Sequence, residues 1–84
     1  MYTVYILRSI ITQKFYVGST GNLSDRIQRH NSGRSKATKS GIPWKVVYTT
    51  AFQTRSEAVR FEQYIKSQKS RQYIEKLVEG NAGA

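Results

Sequence analysis

Tyr2-Thr3-Val4-Tyr5-Ile6-Leu7 and, after a short polar connection, Phe15-Tyr16-Val17-Gly18 are the two stretches that decide how this chain folds. Both are dense in β-branched and aromatic residues, the composition of strands. The link through Thr12, Gln13 and Lys14 is short enough for a hairpin, so the two strands are expected to run antiparallel, with Gly18 ending the second.

Outward from the hairpin, Asn22-Leu23-Ser24-Asp25-Arg26-Ile27-Gln28-Arg29-His30 reads as a helix. Asn22 is a good N-cap, Asp25 suits the first turn, and Asn31 to Gly33 supplies the stop. Residues 31–41 are Ser, Gly, Thr, Lys and Arg with almost nothing apolar, which predicts a mobile basic loop. Ile42 and Pro43 lead into Trp44-Lys45-Val46-Val47-Tyr48-Thr49-Thr50, a third strand. Thr54-Arg55-Ser56-Glu57 spells a capping box that opens a helix carrying Ala58, Val59, Phe61 and Ile65. A polar break at Ser67 to Lys69 precedes Ser70, a second cap. The last helix carries Tyr73, Ile74, Leu77 and Val78 and is expected to stop at Gly80. The expectation is an α/β fold in one domain over residues 1–80, with a flexible tail at 81–84. Its three-stranded antiparallel sheet is flanked by three helices in the order β-β-α-β-α-α.

Composition narrows the function classes. A chain of 84 residues with 38% hydrophobic and 12% aromatic content is long enough for one small core and too apolar for a disordered tail. Lys and Arg number 14 against 5 acids, a net charge of +9, and such a field attracts polyanions. No apolar run approaches the ~20 residues needed to span a bilayer, and the start is no signal peptide. Nucleic acid is therefore the expected partner, with no membrane, and the cytoplasm the expected compartment. The absence of Cys excludes disulfides, thiolate catalysis and Cys-type zinc sites, and a single His excludes a His cluster.

Several residues break structural rules. At helical spacing Glu62 falls on the same face as Ala58, Phe61 and Ile65, inside an apolar stripe. A carboxylate sits there only with a cation, strong donors or an open cleft; the plain reading is a boundary Glu paired with a Lys or Arg. Arg26 and His30 are one turn apart on the side of Leu23 and Ile27, where a lone His is ordinarily a satisfied packing residue and an Arg snorkels. Tyr5 and Tyr16 each lie in a strand, where Tyr is ordinarily a good β-former with its hydroxyl at the surface. Arg34, Lys36 and Lys39 in the loop, with Lys66, Lys69 and Arg71, are candidate phosphate contacts; the plain reading is solvated surface.

As an ordered set these residues resemble the GIY-YIG nuclease superfamily. Thr3-Val4-Tyr5 and Tyr16-Val17-Gly18, with ten residues between them, stand where that family carries its two signature tripeptides. Leu23, Arg26 and His30, then Glu62 on a capped helix, follow in the family's order, and Pro43-Trp44-Lys45-Val46-Val47-Tyr48 is similar to the third strand of its small stand-alone bacterial members. The N-terminal cleavage domain of the bacterial excision-repair nuclease has the same character. The resemblance implies a metal-dependent endonuclease hydrolysing phosphodiester bonds in DNA, with structure-specific, repair-type substrates and a monomeric chain. It assigns Glu62 as the ligand of one divalent ion, Mg²⁺ or Mn²⁺, and Arg26 as the partner of the scissile phosphate. Tyr5 becomes the general base or water-positioner, assisted by Tyr16 and His30. Thr3 replaces the first Gly of the signature, and the downstream Asn of several family nucleases has no match beyond Glu62. The alternative is a non-catalytic nucleic-acid-binding module of the same fold; a ribosome-associated basic protein is a third class, with no need for an acid in the stripe.

Overall fold

The computed structural model describes residues 1–82. Its elements are β1 (Tyr2–Ser9), β2 (Phe15–Thr20), α1 (Leu23–Asn31), a 3-10 turn (Lys39–Gly41), β3 (Trp44–Phe52), α2 (Arg55–Ser67) and α3 (Arg71–Ala82), the expected order. The strands form one antiparallel sheet in the order β2-β1-β3, so β1 is central and β2 is an edge.

Helices on both faces explain why β1 is apolar without alternation. Val4, Tyr5, Ile6 and Leu7 are all at most 1% exposed. Val4 and Ile6 pack with Val17, Ala58 and Ile65 beneath α2 and α3. Tyr5 and Leu7 pack with Trp44 on the opposite face, against Leu23 and Ile27 of α1. Each fully buried aliphatic side chain contributes on the order of 1.5–3 kcal/mol of transfer free energy, so the central strand anchors both cores. The caps form as read: Asn22 accepts from the Asp25 N–H, Thr54 and Glu57 close a capping box, and Ser70 accepts from the Tyr73 N–H.

Three expectations change. The strands run further than their apolar stretches: Gly18 lies inside β2, paired with Tyr5, and Ser19 and Thr20 continue the ladder opposite Val4 and Thr3. The last helix passes through Gly80 to Ala82. A glycine inside a helix costs only about 1 kcal/mol and stops it only by turning left-handed. The remainder of the expected tail, residues 83–84, lies outside the described residues. Finally, residues 31–41 are tied down rather than mobile. Thr38 is fully buried, its carbonyl accepts from Trp44 Nε1 at 2.7 Å, and Ser9 Oγ donates to the Gly41 carbonyl at 2.6 Å. Asn31 clamps the Trp44 backbone with both ends of its amide, at 2.7 and 3.1 Å. Among the described residues no helix is long and apolar enough to cross a membrane.

Candidate active site

The site begins with a glycine. Tyr5 on the central strand faces Gly18 on the edge strand, and its phenol lies over the bare backbone there. A Cβ at position 18 would stand 2.5 Å from Tyr5 Oη and 2.7 Å from Cζ, so only glycine admits the ring. The hydroxyl thereby reaches α1, where Tyr5 Oη lies 3.1 Å from His30 Nε2. His30 Nδ1 in turn lies 2.8 Å from Thr38 Oγ1. Tyr5, His30 and Thr38 are 1%, 2% and 0% exposed. The surface hydroxyl that β-propensity suggested for Tyr5 is thus an interior one with an imidazole partner. Tyr16 closes the group, its ring 4.9 Å from that of His30 and 6.5 Å from that of Tyr5.

Proton counting limits the roles of the His30 ring. Its Nδ1 is the sole hydrogen-bond partner of the buried Thr38 hydroxyl. A buried hydroxyl with one partner donates to it or strands its proton at a cost of about 1–3 kcal/mol. The Tyr5 hydroxyl is buried with Nε2 as its partner in the same way, and a neutral ring accepts at only one nitrogen, so one of the two hydroxyls donates to the ring and the other accepts from it. Burial pushes the Tyr5 phenol up to about 12, Tyr16 and Glu62 push the same way, and Arg26 opposes them. Burial also holds the His30 imidazole below its ordinary value, and the Arg26 guanidinium adds to that. Both groups are neutral at pH 7.

Arg26 is the hinge of the charged surface. With Tyr16, Arg29, His30 and Arg34 it lines a cleft of about 350 Å³, and it also lines a hollow of about 200 Å³ with Ser19 and Arg55. No carboxylate lines either space. A guanidinium stays charged and offers a planar fork, which suits a phosphate.

Glu62 stands on α2 and lines neither space, and is bonded to Ser19, which lines the second. The Glu62 side chain is 13% exposed. Ser19 Oγ donates to Oε1 at 2.5 Å and Lys66 Nζ donates to Oε2 at 2.6 Å. Its carboxylate is close enough to act on the Tyr5 phenol. Two of the three ways of keeping an acid in an apolar stripe are thus present, a cation and a strong donor. A carboxylate offers about four lone-pair positions, so two remain for a hard cation. Among the described residues no three His, Asp or Glu side chains cluster. The donor set fits one weakly held divalent ion that keeps most of its waters, in the manner of Mg²⁺.

The remaining candidates divide. Arg34 belongs to the cleft, while Lys36 and Lys39 are exposed on the anchored loop. Lys66 and Lys69 line a groove with Phe15, Tyr16 and Val17 along the outer edge of β2, and Lys66 is engaged with Glu62. Arg71 stacks on the Phe15 ring at 4.7 Å and pairs with Glu75 at 3.5 Å. Sequence reasoning missed Thr38, Ser19 and Arg29. Nothing in a run of Ser, Lys and Thr marks the one hydroxyl that will be buried. Arg29, one turn from Arg26 at helical spacing, was open to detection.

The family model described as the GIY-YIG catalytic domain matches residues 1–76. The chain is similar to a UPF0213 protein of Oceanobacillus iheyensis, with 42% identity over 64 residues covering 75% of this chain and 73% of that one. A UPF0213 protein of Staphylococcus haemolyticus is 40% identical over 77 residues, covering 90% and 92%. The structure-specific endonuclease subunit SLX1 of Chaetomium globosum is 36% identical over 69 residues, which span 74% of this chain and 21% of that protein. The solution NMR structure of a UPF0213 protein from Bacillus halodurans superposes with a TM-score of 0.58 at 37% identity, covering 94% of this chain and 84% of that one.

Proposed function

Because the chain belongs to the GIY-YIG family, we propose that it is a metal-dependent endonuclease that hydrolyses phosphodiester bonds in DNA, acting as a monomer in the cytoplasm on structure-specific, repair-type substrates. The observation that carries this reading is the meeting of Tyr5, Tyr16, His30 and Arg26 beside the Glu62 carboxylate at one edge of the sheet.

Hydrolysis needs an oriented water, charge neutralisation on the phosphorane and help for the leaving oxygen. Arg26 binds the scissile phosphate, and Arg29 and Arg34 hold its flanking charge in the cleft. Tyr5 carries the proton chemistry. A phenol at about 12 is ionised in only about one molecule in 10⁵ at pH 7, so at rest Tyr5 holds its proton and orients the water. One of the chain's own groups favours phenolate against burial, the Arg26 charge. Tyr16 packs against the imidazole and keeps it in place. Glu62, freed from Lys66, is the residue that would hold Mg²⁺ or Mn²⁺. The chemistry such an ion supplies is positive charge against the phosphate oxygens and the leaving group.

The test is a nicking assay on plasmid and branched DNA with Mg²⁺ or Mn²⁺, comparing wild type with Glu62→Ala and Arg26→Ala. We expect turnover that chelation abolishes, and a loss of at least 100-fold in each variant, the scale of one removed charge-stabilising group. Cleavage that survives Glu62→Ala unchanged rules the scheme out. The Lys66–Glu62 pair favours a second reading, a DNA-binding module without cleavage. It predicts salt-sensitive binding and no turnover on duplex, single-stranded, flap or junction substrates.

A further inference from the structure

Away from the cleft, the β1–β2 turn holds two exposed isoleucines in a rigid frame. Ile10 is 57% and Ile11 67% exposed, on a domain of net charge +9. The buried Ser9 hydroxyl accepts from the N–H groups of Ile11 and Thr12 at 3.2 and 2.9 Å while donating to the Gly41 carbonyl. Ile10 N–H donates to the Pro43 carbonyl at 3.0 Å, and the Gln13 amide donates to the Ile10 carbonyl at 3.0 Å. Gln13 adopts a left-handed backbone, φ +64°, a conformation a non-glycine residue holds only when its surroundings impose it. The chain therefore fixes an apolar tip in water instead of letting it fold back.

Beside the tip, like charges are set together. Arg8 and Lys45 are direct cross-strand partners on β1 and β3. Like charges so placed repel, and among the described residues no Asp or Glu pairs with either. Both line a hollow of about 190 Å³ with Ser9, Ile10, Gln13 and Val47. Lys14 adds a third cation next to the tip. An anion brought from outside relieves the repulsion, and phosphate is the anion that the fold's charge and its family already select.

We propose that this turn is a second DNA contact, in which Arg8 and Lys45 seat a backbone phosphate and Ile10 and Ile11 press on the face of an unstacked base at a branch or strand end. This rests on DNA being the substrate, as proposed above. Apolar side chains gain from a base only where its face is exposed, and opening an intact stack is costly. The tip lies five residues beyond Tyr5 along the chain, roughly 17 Å at about 3.3 Å per residue. The tip thus supplies a preference for branched DNA that the cleft, which reads only phosphate, lacks.

The experiment measures binding without turnover. Fluorescence anisotropy in EDTA compares a continuous duplex with a flapped duplex of the same sequence, for wild type, Ile10→Ser/Ile11→Ser and Arg8→Gln/Lys45→Gln. Wild type is expected to favour the flap by about tenfold. The serine variant is expected to lose that preference while keeping duplex affinity within about twofold. The glutamine variant should weaken both and shallow the slope of log K against log salt by about one, for the single phosphate the pair seats. It should melt no lower than wild type, since it removes a repulsion. Serine variants that keep the wild-type preference, or self-association through the tip seen by light scattering, overturn the inference. Nicking with Mg²⁺ or Mn²⁺ is run in parallel. If it persists while the turn variants behave as wild type, only the turn assignment falls; if no nucleic acid binds at all, the nuclease reading falls with it.

Discussion

Replacing Gly18 by Ala tests the site at its narrowest point. The added Cβ would stand 2.5 Å from Tyr5 Oη, whereas ordinary contact begins at 3.4 Å, so the phenol must move by about 0.9 Å. It has nowhere to go. Tyr5 is 1% exposed, and its hydroxyl is held by His30, itself held by Thr38. Gly18 is not among the positive-φ glycines, so the substitution carries no backbone strain and the whole effect is steric. Overpacking of this kind costs about 1–3 kcal/mol. In a domain of this size that lowers Tm by roughly 4–8 °C for each kcal/mol. Moving a reacting group by about 1 Å costs on the order of 100-fold in rate, which single-turnover nicking would read. A second substitution sharpens the test. Gly18→Ala/Tyr5→Phe deletes the 2.5 Å contact but keeps the 2.7 Å contact to Cζ. It should recover part of the stability and none of the activity. A Gly18→Ala protein that unfolds at the wild-type urea concentration and nicks within twofold of wild type would falsify the packing argument, and with it the placement of Tyr5 over the edge strand.

Three further outcomes are expected. The folded protein holds the Tyr5 phenol at about 12 against an ordinary 10, so the unfolded chain releases that proton first. The associated stability is complete below pH 10 and is lost as pH climbs from 10 to 12, up to roughly 2–3 kcal/mol. Urea unfolding should show that drop in wild type and a smaller one in Tyr5→Phe. Thr38→Val leaves His30 Nδ1 unpartnered in a buried site, at about 1–3 kcal/mol by urea unfolding, and Thr38→Ser should restore it. A Thr38→Val protein as stable as wild type contradicts the buried contact between Thr38 and the ring. Lys66→Ala removes the ammonium from Glu62 Oε2 and should tighten Mn²⁺ binding severalfold by titration calorimetry, with a stability cost of only about 0.3–0.5 kcal/mol for an i,i+4 pair. Unchanged or weaker Mn²⁺ binding contradicts the assignment of Glu62 as ligand.

The fold was legible because its signals are local. β-branched runs, a capping box at Thr54 and a cap at Asn22 report on their own neighbourhoods and are decided by short-range sterics and hydrogen bonds. Strand ends were not legible, because pairing sets them. Ser19 and Thr20 are polar and look like loop until Val4 and Thr3 are placed opposite. Residues 31–41 misled for the converse reason. Their composition is that of a solvated loop, while their order comes from Trp44, Asn31 and Ser9, whose bonds to the segment composition cannot show. Composition measures how much apolar surface a segment brings, not whether its carbonyls will be needed elsewhere.

The site shows where a sequence stops being informative. Tyr5, Arg26, His30 and Glu62 each had a plain structural reading, and for Glu62 that reading is true: it is paired with Lys66. The pairing does not exclude function, because it answers how an acid survives on an apolar face and leaves open why one is there. Ala58 and Ile65 on the same face are buried as core residues are, and a Leu at 62 would extend that stripe. An acid held instead by Ser19 from the edge strand lies near enough to Tyr5 for its charge to act on the phenol. Lys66 can leave at little cost, since its side chain is 46% exposed and water is ready to take it back. A replaceable cation on a fixed carboxylate is what a single-ion site needs before its ion arrives, which is why the ion pair and the nuclease proposal stand together.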